Sequence, residues 1–216
     1  MSQRSLISRL WYKFMRMILQ IIALLMFQVR HSGQKNIPSE GSVLVVSNHQ
    51  SHLDPPLVGM ACGRHMNFVS RQSLFRFAPF GWLINSLDAI PIDREGIGLS
   101  GIKESLKRLK RGEMLLIFPE GTRTPDGQIK PFRPGFTSLA VRSGAAILPV
   151  AIEGAYQCWP KSQTFPRPGK VRVHYGQPIL PQDYKGMDER DLLVLVEKRV
   201  RQCHAEVLRE LGKSTQ

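Results

Sequence analysis

The sequence predicts an α/β fold, a single domain with a largely parallel central sheet flanked by helices, plus an N-terminal amphipathic membrane-associated helix. Three observations predict it. Short apolar runs of strand length alternate with segments of helical periodicity. Several of those runs stop at polar knots, the arrangement found where parallel strands end at a ligand crevice. The stretch before Gly33 is different in kind: it is basic and apolar, and no acidic residue occurs before Glu40. The expected division is residues 1–32 for the helix and 33–216 for the domain.

In that first stretch Arg9, Lys13, Arg16 and Gln20 fall on one helical stripe. Leu6, Leu10, Trp11, Phe14, Ile18, Ile21 and Leu25 fill much of the remaining face. The densest apolar run, Met17–Phe27, is only about 16 Å long as a helix, against roughly 30 Å for a bilayer core. It suits one leaflet rather than a span. A secretory leader would want small residues after the run, whereas Gln28, Val29, Arg30 and His31 come next. Aromatic residues beside a basic face are the pattern of an interfacial helix. Gly33–Gly41, rich in Gly, Pro and Ser, reads as the connector.

Val43–Ser47 is short, β-branched and without a polar face, which marks a strand buried on both sides. Asp54 then reads as a helix N-cap, with Pro55 and Pro56 suited to the first turn. Asn48–Leu53 is therefore a tight crossing, closed by His49 and Asp54. Across such a corner a carboxylate can hold one imidazole nitrogen and leave the other to take a proton. The spacing alone favours a capping aspartate beside an ordinary histidine.

Further along, Met66–Ser70 and Ala89–Ile92 read as strands. Leu99, Ile102, Leu106 and Leu109 line one helix face, with Lys103, Glu104, Lys107, Arg108 and Lys110 opposite. Met114–Phe118 is a buried strand, Phe136–Val141 a short helix, Ile147–Ile152 and Val171–Tyr175 strands, and Asp188–Leu211 a final amphipathic helix. A second polar knot, Phe118–Arg123, offers the carboxylate of Glu120, a glycine at 121 where backbone can approach a ligand, the hydroxyl of Thr122 and Arg123. Asp93 and Arg94 form a third, and Lys130 and Arg133 a fourth, basic cluster. The second fits a charged turn in which Glu120 and Arg123 pair, and the third a strand-end salt bridge; three strand ends terminating in charged turns suggest one shared site.

With 216 residues and 42% hydrophobic content, the chain can bury one substantial core. Its formal charge of +13 calls for an anionic partner. Nucleic acid is disfavoured, because no nucleic-acid motif accompanies the charge and aromatics do not interleave a basic stripe in the globular part. Cys62, Cys158 and Cys203 are scattered, so neither a disulfide framework nor a zinc site is expected, and a reducing, cytoplasm-facing location fits.

At these motifs the sequence resembles the 1-acyl-glycerol-3-phosphate acyltransferases (lysophosphatidic acid acyltransferases) and their glycerolipid acyltransferase relatives. Asn48–Asp54 looks like the family's NH-x-x-x-x-D motif, and Phe118–Arg123 matches its FPEG-T/S-R motif. Gly81, Trp82, Leu83 and Ile84 with Ile90–Arg94 resemble the second motif, and Ile147–Val150 the short fourth one. The resemblance runs from about Val43 to Gly154 with the motifs in family order.

The resemblance implies transfer of an acyl group from acyl-CoA or acyl carrier protein to the free hydroxyl of 1-acyl-glycerol 3-phosphate, giving phosphatidic acid in phospholipid biosynthesis. His49, held by Asp54, is then the general base. Arg94, Glu120, Gly121, Thr122 and Arg123, joined by Lys130 and Arg133, bind the acceptor's glycerol phosphate. No cofactor beyond the thioester co-substrate and no metal is expected. The partners implied are a lysophospholipid, an acyl thioester and an anionic membrane surface, with the protein on the cytoplasmic face of the inner or plasma membrane. A covalent acyl-enzyme on Ser47, Ser51 or Thr122 is disfavoured by the lack of a G-x-S-x-G elbow. A metal on His49, His52 and Asp54 lacks a recognisable ligand spacing. The alternatives are acylation of glycerol 3-phosphate or another lysolipid, and, outside enzymes, a basic membrane-binding domain.

Overall fold

The computed structural model describes residues 6–71, 90–92 and 99–212. In chain order the elements are α1 (Leu6–Phe27), β1 (Arg30–Ser32), β2 (Val43–Ser47), α2 (Asp54–Gly59), β3 (Met66–Arg71), β4 (Ile90–Ile92), α3 (Leu99–Lys110), β5 (Met114–Ile117), α4 (Phe136–Ser143), β6 (Ala146–Glu153), α5 (Ala155–Cys158), β7 (Arg172–Tyr175) and α6 (Glu189–Glu210). From β2 onward, the elements whose two ends were read from the sequence and are described have bounds within two residues of those expected, while the short α5 was not expected.

Among the described residues the strands form one sheet in the order β1-β7-β6-β2-β5-β3-β4. β2 pairs in parallel with β5 and β6, and β3 in parallel with β5 and β4. The carboxyl ends of these five strands therefore share one edge. β7 runs antiparallel to β6, and β1 runs parallel to β7. Neither feature was expected from the sequence: β1 is a polar tripeptide held by backbone bonds, and an apolar strand pattern carries no direction.

The apolar runs are explained by burial on both faces. Val43 and Val45 pack with Phe27, Leu57 and Val58 on one side of the sheet, while Leu44 and Val46 pack with Leu109, Leu139 and Val196 on the other. β5 alternates in the same way, with Met114 and Leu116 against Leu115 and Ile117.

The carboxyl-terminal turns of α1 belong to this packing. Ala23 and Phe27 are buried, Gln20 Nε2 donates to the Met60 carbonyl at 3.2 Å, and the amides of Gly169 and Val171 donate to the carbonyls of Met26 and Phe27. The outward side leaves Leu10, Phe14, Met17, Ile21, Ile22, Leu24 and Leu25 exposed. With β1 in the sheet, the chain is tied to the domain on both sides of the boundary read after residue 32. Among the described residues no helix is long and apolar enough to cross a membrane.

Candidate active site

His49 lies just past the carboxyl end of the central strand, and its neighbours fix it from four directions. Asn48 anchors the turn to β6: its Nδ2 donates to the Ile152 carbonyl and its Oδ1 accepts the Ile152 amide, both at 2.9 Å. The imidazole stacks on Phe118, with ring centroids 4.0 Å apart and planes at 14°. Its Nδ1 lies 2.7 Å from Asp54 Oδ2. A carboxylate accepts only, so Nδ1 carries the proton and Nε2 is the nitrogen left to receive one. The histidine side chain is 19% exposed and that of Asp54 is 0% exposed.

Asp54 was expected to cap the helix, and the structure corrects this. Leu53 occupies the N-cap and Asp54 is the first helical residue. Its Oδ2 turns back to accept the Gln50 and Ser51 amides at 2.6 and 2.8 Å, together with the His49 ring. The physical reason lies in Pro55 and Pro56. Prolines have no N–H, so the usual targets of a cap at this end are reduced and the carboxylate serves the preceding turn instead.

The FPEGTR turn after β5 meets this corner, because β5 is the immediate neighbour of β2. Glu120 Oε1 accepts the His49 amide at 3.0 Å, and the Thr124 amide donates to the His49 carbonyl at 2.8 Å. Burial pushes the Glu120 carboxyl up to about 7, against the backbone amides of His49 and Lys130, which favour its anion; the nearby Asp54 charge also raises it. Gly121 has φ +72, and a Cβ there would come within 3.2 Å of the Arg133 Cδ, Nε and Cζ atoms. The sequence suggested that this glycine admits a ligand; the structure fills that space with the Arg133 side chain. Arg133 is exposed, and Thr122, Arg123 and Lys130 are half-buried. Desolvation, with the charge of Arg123 second, pushes His52 down to about 4.

His49, Asp54, Glu120 and the residues from Gly121 to Arg123 are thus adjoining, with Arg133 laid over Gly121 and Lys130 close to the Glu120 carboxyl. Arg94 and Asp93, and Gly81–Ile84 of the second motif, lie outside the described residues. Two of the three hydroxyls weighed as nucleophiles are engaged: Ser51 Oγ donates to the Trp159 carbonyl at 2.8 Å, and Ser47 Oγ donates to the Asn48 carbonyl at 3.1 Å, both side chains being fully buried.

Sequence reasoning missed Gln50 and Glu153. Gln50 is buried, its Nε2 donating to Glu153 Oε2 at 2.8 Å and to the Gly127 carbonyl at 3.0 Å, while its Oε1 accepts the Tyr156 amide at 3.2 Å. His204 on α6 approaches the same Glu153 oxygen at 3.1 Å. The only signal was the place of Gln50 inside the motif; Glu153 closes an apolar strand like any solvent-facing end residue.

Comparison with known proteins gives the same outline. Residues 28–153, more than half of the chain, match the Acyltransferase family model. The chain is 35% identical over 170 residues to the 1-acyl-sn-glycerol-3-phosphate acyltransferase of Pseudomonas aeruginosa, covering 77% of this chain and 64% of that protein. To the protein so named in Bacillus subtilis it is 27% identical over 204 residues, covering 94% and 99%. To the chloroplastic one of Arabidopsis thaliana it is 31% identical over 157 residues, covering 71% of this chain and 44% of that protein. The chain therefore spans less than half of the plant relative's length. The crystal structure of the 1-acyl-sn-glycerophosphate (LPA) acyltransferase PlsC from Thermotoga maritima superposes with a TM-score of 0.81 at 28% identity, over 100% of this chain and 86% of that one. By these matches the chain belongs to the Acyltransferase family, among the relatives of the 1-acyl-sn-glycerol-3-phosphate acyltransferases.

Proposed function

We propose that the protein transfers an acyl group from acyl-CoA or acyl carrier protein to the free hydroxyl of 1-acyl-glycerol 3-phosphate, forming phosphatidic acid. The observation that carries this reading is the 2.7 Å bond between His49 Nδ1 and the buried Asp54 carboxylate at the end of the central strand. A thioester is already activated, so the barrier lies in making a nucleophile of an alcohol. His49 Nε2 takes the hydroxyl proton as the oxygen attacks the thioester carbon; the carbon–sulfur bond then breaks and the thiolate leaves with the proton returned by the imidazolium. Asp54 stabilises that imidazolium and fixes its tautomer. The engaged Ser47 and Ser51 hydroxyls favour direct transfer over an acyl-enzyme.

Arg123, Arg133 and Lys130, with Arg94, bind the acceptor's phosphate, the guanidinium groups offering planar two-point contacts. Glu120, Gly121 and Thr122 shape the same pocket. A raised Glu120 carboxyl is suited to this neighbourhood, since a proton on it spares the bound phosphate a second negative charge. The exposed apolar side of α1 lies in one leaflet of an anionic membrane, on its cytoplasmic face, and brings the crevice to the headgroup plane where both long-chain substrates reside. Thioester consumption by purified protein tests the reading, with 1-acyl-glycerol 3-phosphate, glycerol 3-phosphate and other lysolipids as acceptors and both donor types. Consumption only with 1-acyl-glycerol 3-phosphate supports it. Consumption with none of them leaves a membrane-binding domain, and preference for another acceptor reassigns the substrate.

A further inference from the structure

From Gly154 to Gln182 the chain contains no acidic residue, while Lys161, Arg167 and Lys170 cluster in the loop between α5 and β7. That loop has a defined shape. The Gln163 amide donates to the Pro160 carbonyl, Trp159 Nε1 donates to the Gln163 carbonyl at 3.0 Å, and the Arg167 amide returns to the Cys158 carbonyl at 2.8 Å. Pro160, Pro166 and Pro168 stiffen it further. Within it Phe165 is 78% exposed, ahead even of Leu25 at 76% on α1. A phenyl ring held out by a braced loop among three cations has the composition of a membrane-interface contact.

The two ends of the loop are attached to the parts of the protein where such a contact would matter. Its far end is bonded to the end of α1, through Gly169 and Val171 to Met26 and Phe27, next to the exposed Leu24 and Leu25. Its near end is bonded to the catalytic turn: Ser51 Oγ donates to the Trp159 carbonyl at 2.8 Å, and the Trp159 ring lies 5.4 Å from that of His52. We propose that the Trp159–Lys170 loop is a second membrane-docking element, inserting Phe165 into an anionic leaflet with Lys161, Arg167 and Lys170 at the lipid phosphates. Because its stem holds the turn that carries His49, the depth of Phe165 sets the height of the base above the headgroups. This deepens the proposed function and rests on it for the acceptor being membrane-borne; the docking itself does not depend on catalysis.

The test uses the full chain with Phe165→Ser, the triple variant Lys161→Ala, Arg167→Ala, Lys170→Ala, and Val194→Ser as a control at an exposed apolar position on α6. Co-sedimentation is measured on vesicles of phosphatidylcholine alone and of phosphatidylcholine with phosphatidylglycerol. Turnover is measured with vesicle-borne and with short-chain, water-soluble acceptor. Phe165→Ser is expected to weaken vesicle binding about tenfold on both compositions, as loss of a buried aromatic side chain implies. The triple variant loses the preference for anionic vesicles, and Val194→Ser changes nothing. Turnover of the soluble acceptor stays at the wild-type rate in all three. Wild-type vesicle binding by Phe165→Ser would overturn the proposal, as would a change of oligomeric state, which would assign the ring to a second copy of the chain. If vesicle binding depends on Phe165 while the wild type acylates neither acceptor, the docking stands and the enzymatic reading fails.

Discussion

Glu120→Gln makes the burial of the Glu120 carboxyl measurable. The group's midpoint moves from 4.5 to about 7 in the folded chain, chiefly through desolvation, which corresponds to about 3 kcal/mol. Proton counting sets the sign. Between these two values the folded protein holds a proton that the unfolded chain has released, so stability falls as pH rises through the window. Glutamine has no such proton and keeps an oxygen for the His49 amide. It also puts an NH2 group in place of the other, buried carboxyl oxygen, a cost independent of pH. Comparing the two proteins at several pH values cancels that cost and the titration of every other group. The unfolding free energy of Glu120→Gln minus that of wild type, from urea melts, is expected to grow by about 3 kcal/mol between about pH 4 and about pH 8. At this chain length that is a relative gain of roughly 6–12 °C in Tm. A constant difference would mean that the carboxyl ionises at its ordinary value, and a shrinking one that an ion pair holds its anion; either refutes the argument from desolvation.

His49→Ala should lower kcat about 10²–10⁴-fold in single-turnover assays while the protein melts cooperatively near the wild-type temperature, since the ring is partly exposed and packs mainly on Phe118; activity close to wild type would remove it as the base. Asp54→Asn keeps an oxygen for the Gln50 and Ser51 amides but loses the charge that stabilises imidazolium, so kcat should fall far more than Tm, and equal losses would make the residue structural. Arg123→Ala and Arg133→Ala should each raise acceptor KM about tenfold or more with little change in donor saturation; equal effects on both substrates would leave them as strand-end ion pairs. Gly121→Ala, at φ +72 and against Arg133, should cost about 1–2 kcal/mol in urea melts and raise acceptor KM as the guanidinium is displaced. Replacing Leu24 and Leu25 together by Ser should release the protein from vesicles at any ionic strength, whereas salt against the wild type should weaken attachment only in part; full release by salt alone would deny the apolar face of α1 a role.

The parallel core was legible because burial on both faces leaves a signature in composition: Val43–Val46 and Met114–Ile117 have nowhere to put a polar side chain. The corner after β2 was legible because a buried strand cannot end in Asn48, His49 and Asp54 without leaving the core. The features that stayed hidden depend on backbone pairing. Arg30–Ser32 joins the sheet with no apolar residue to announce it, and the direction of β7 is set by the loop from Trp159 to Lys170, which carries no helix to return the chain in parallel. Asp54 looked like a cap because two prolines stand directly after it, as at many helix starts; a sequence does not reveal which amides a preceding turn will aim at a carboxylate.

His49 and Glu120 stand 71 residues apart in sequence, and their turns share a crevice only because β5 was laid beside β2 rather than beside β4, which directly precedes it among the described strands. That order puts Ile117, the last residue of β5, opposite Val46, one residue before the end of β2. Each turn then satisfies the other's backbone: Glu120 takes the His49 amide, and the His49 carbonyl takes the Thr124 amide. Main-chain groups emerging from a buried sheet edge must find partners or bear the cost of desolvation. Here they find them in the opposite turn, so the demand for hydrogen bonding that ends two strands also sets the distance between His49 on one turn and Glu120 and Arg123 on the other, the groups to which the proposed function gives the base and the acceptor site.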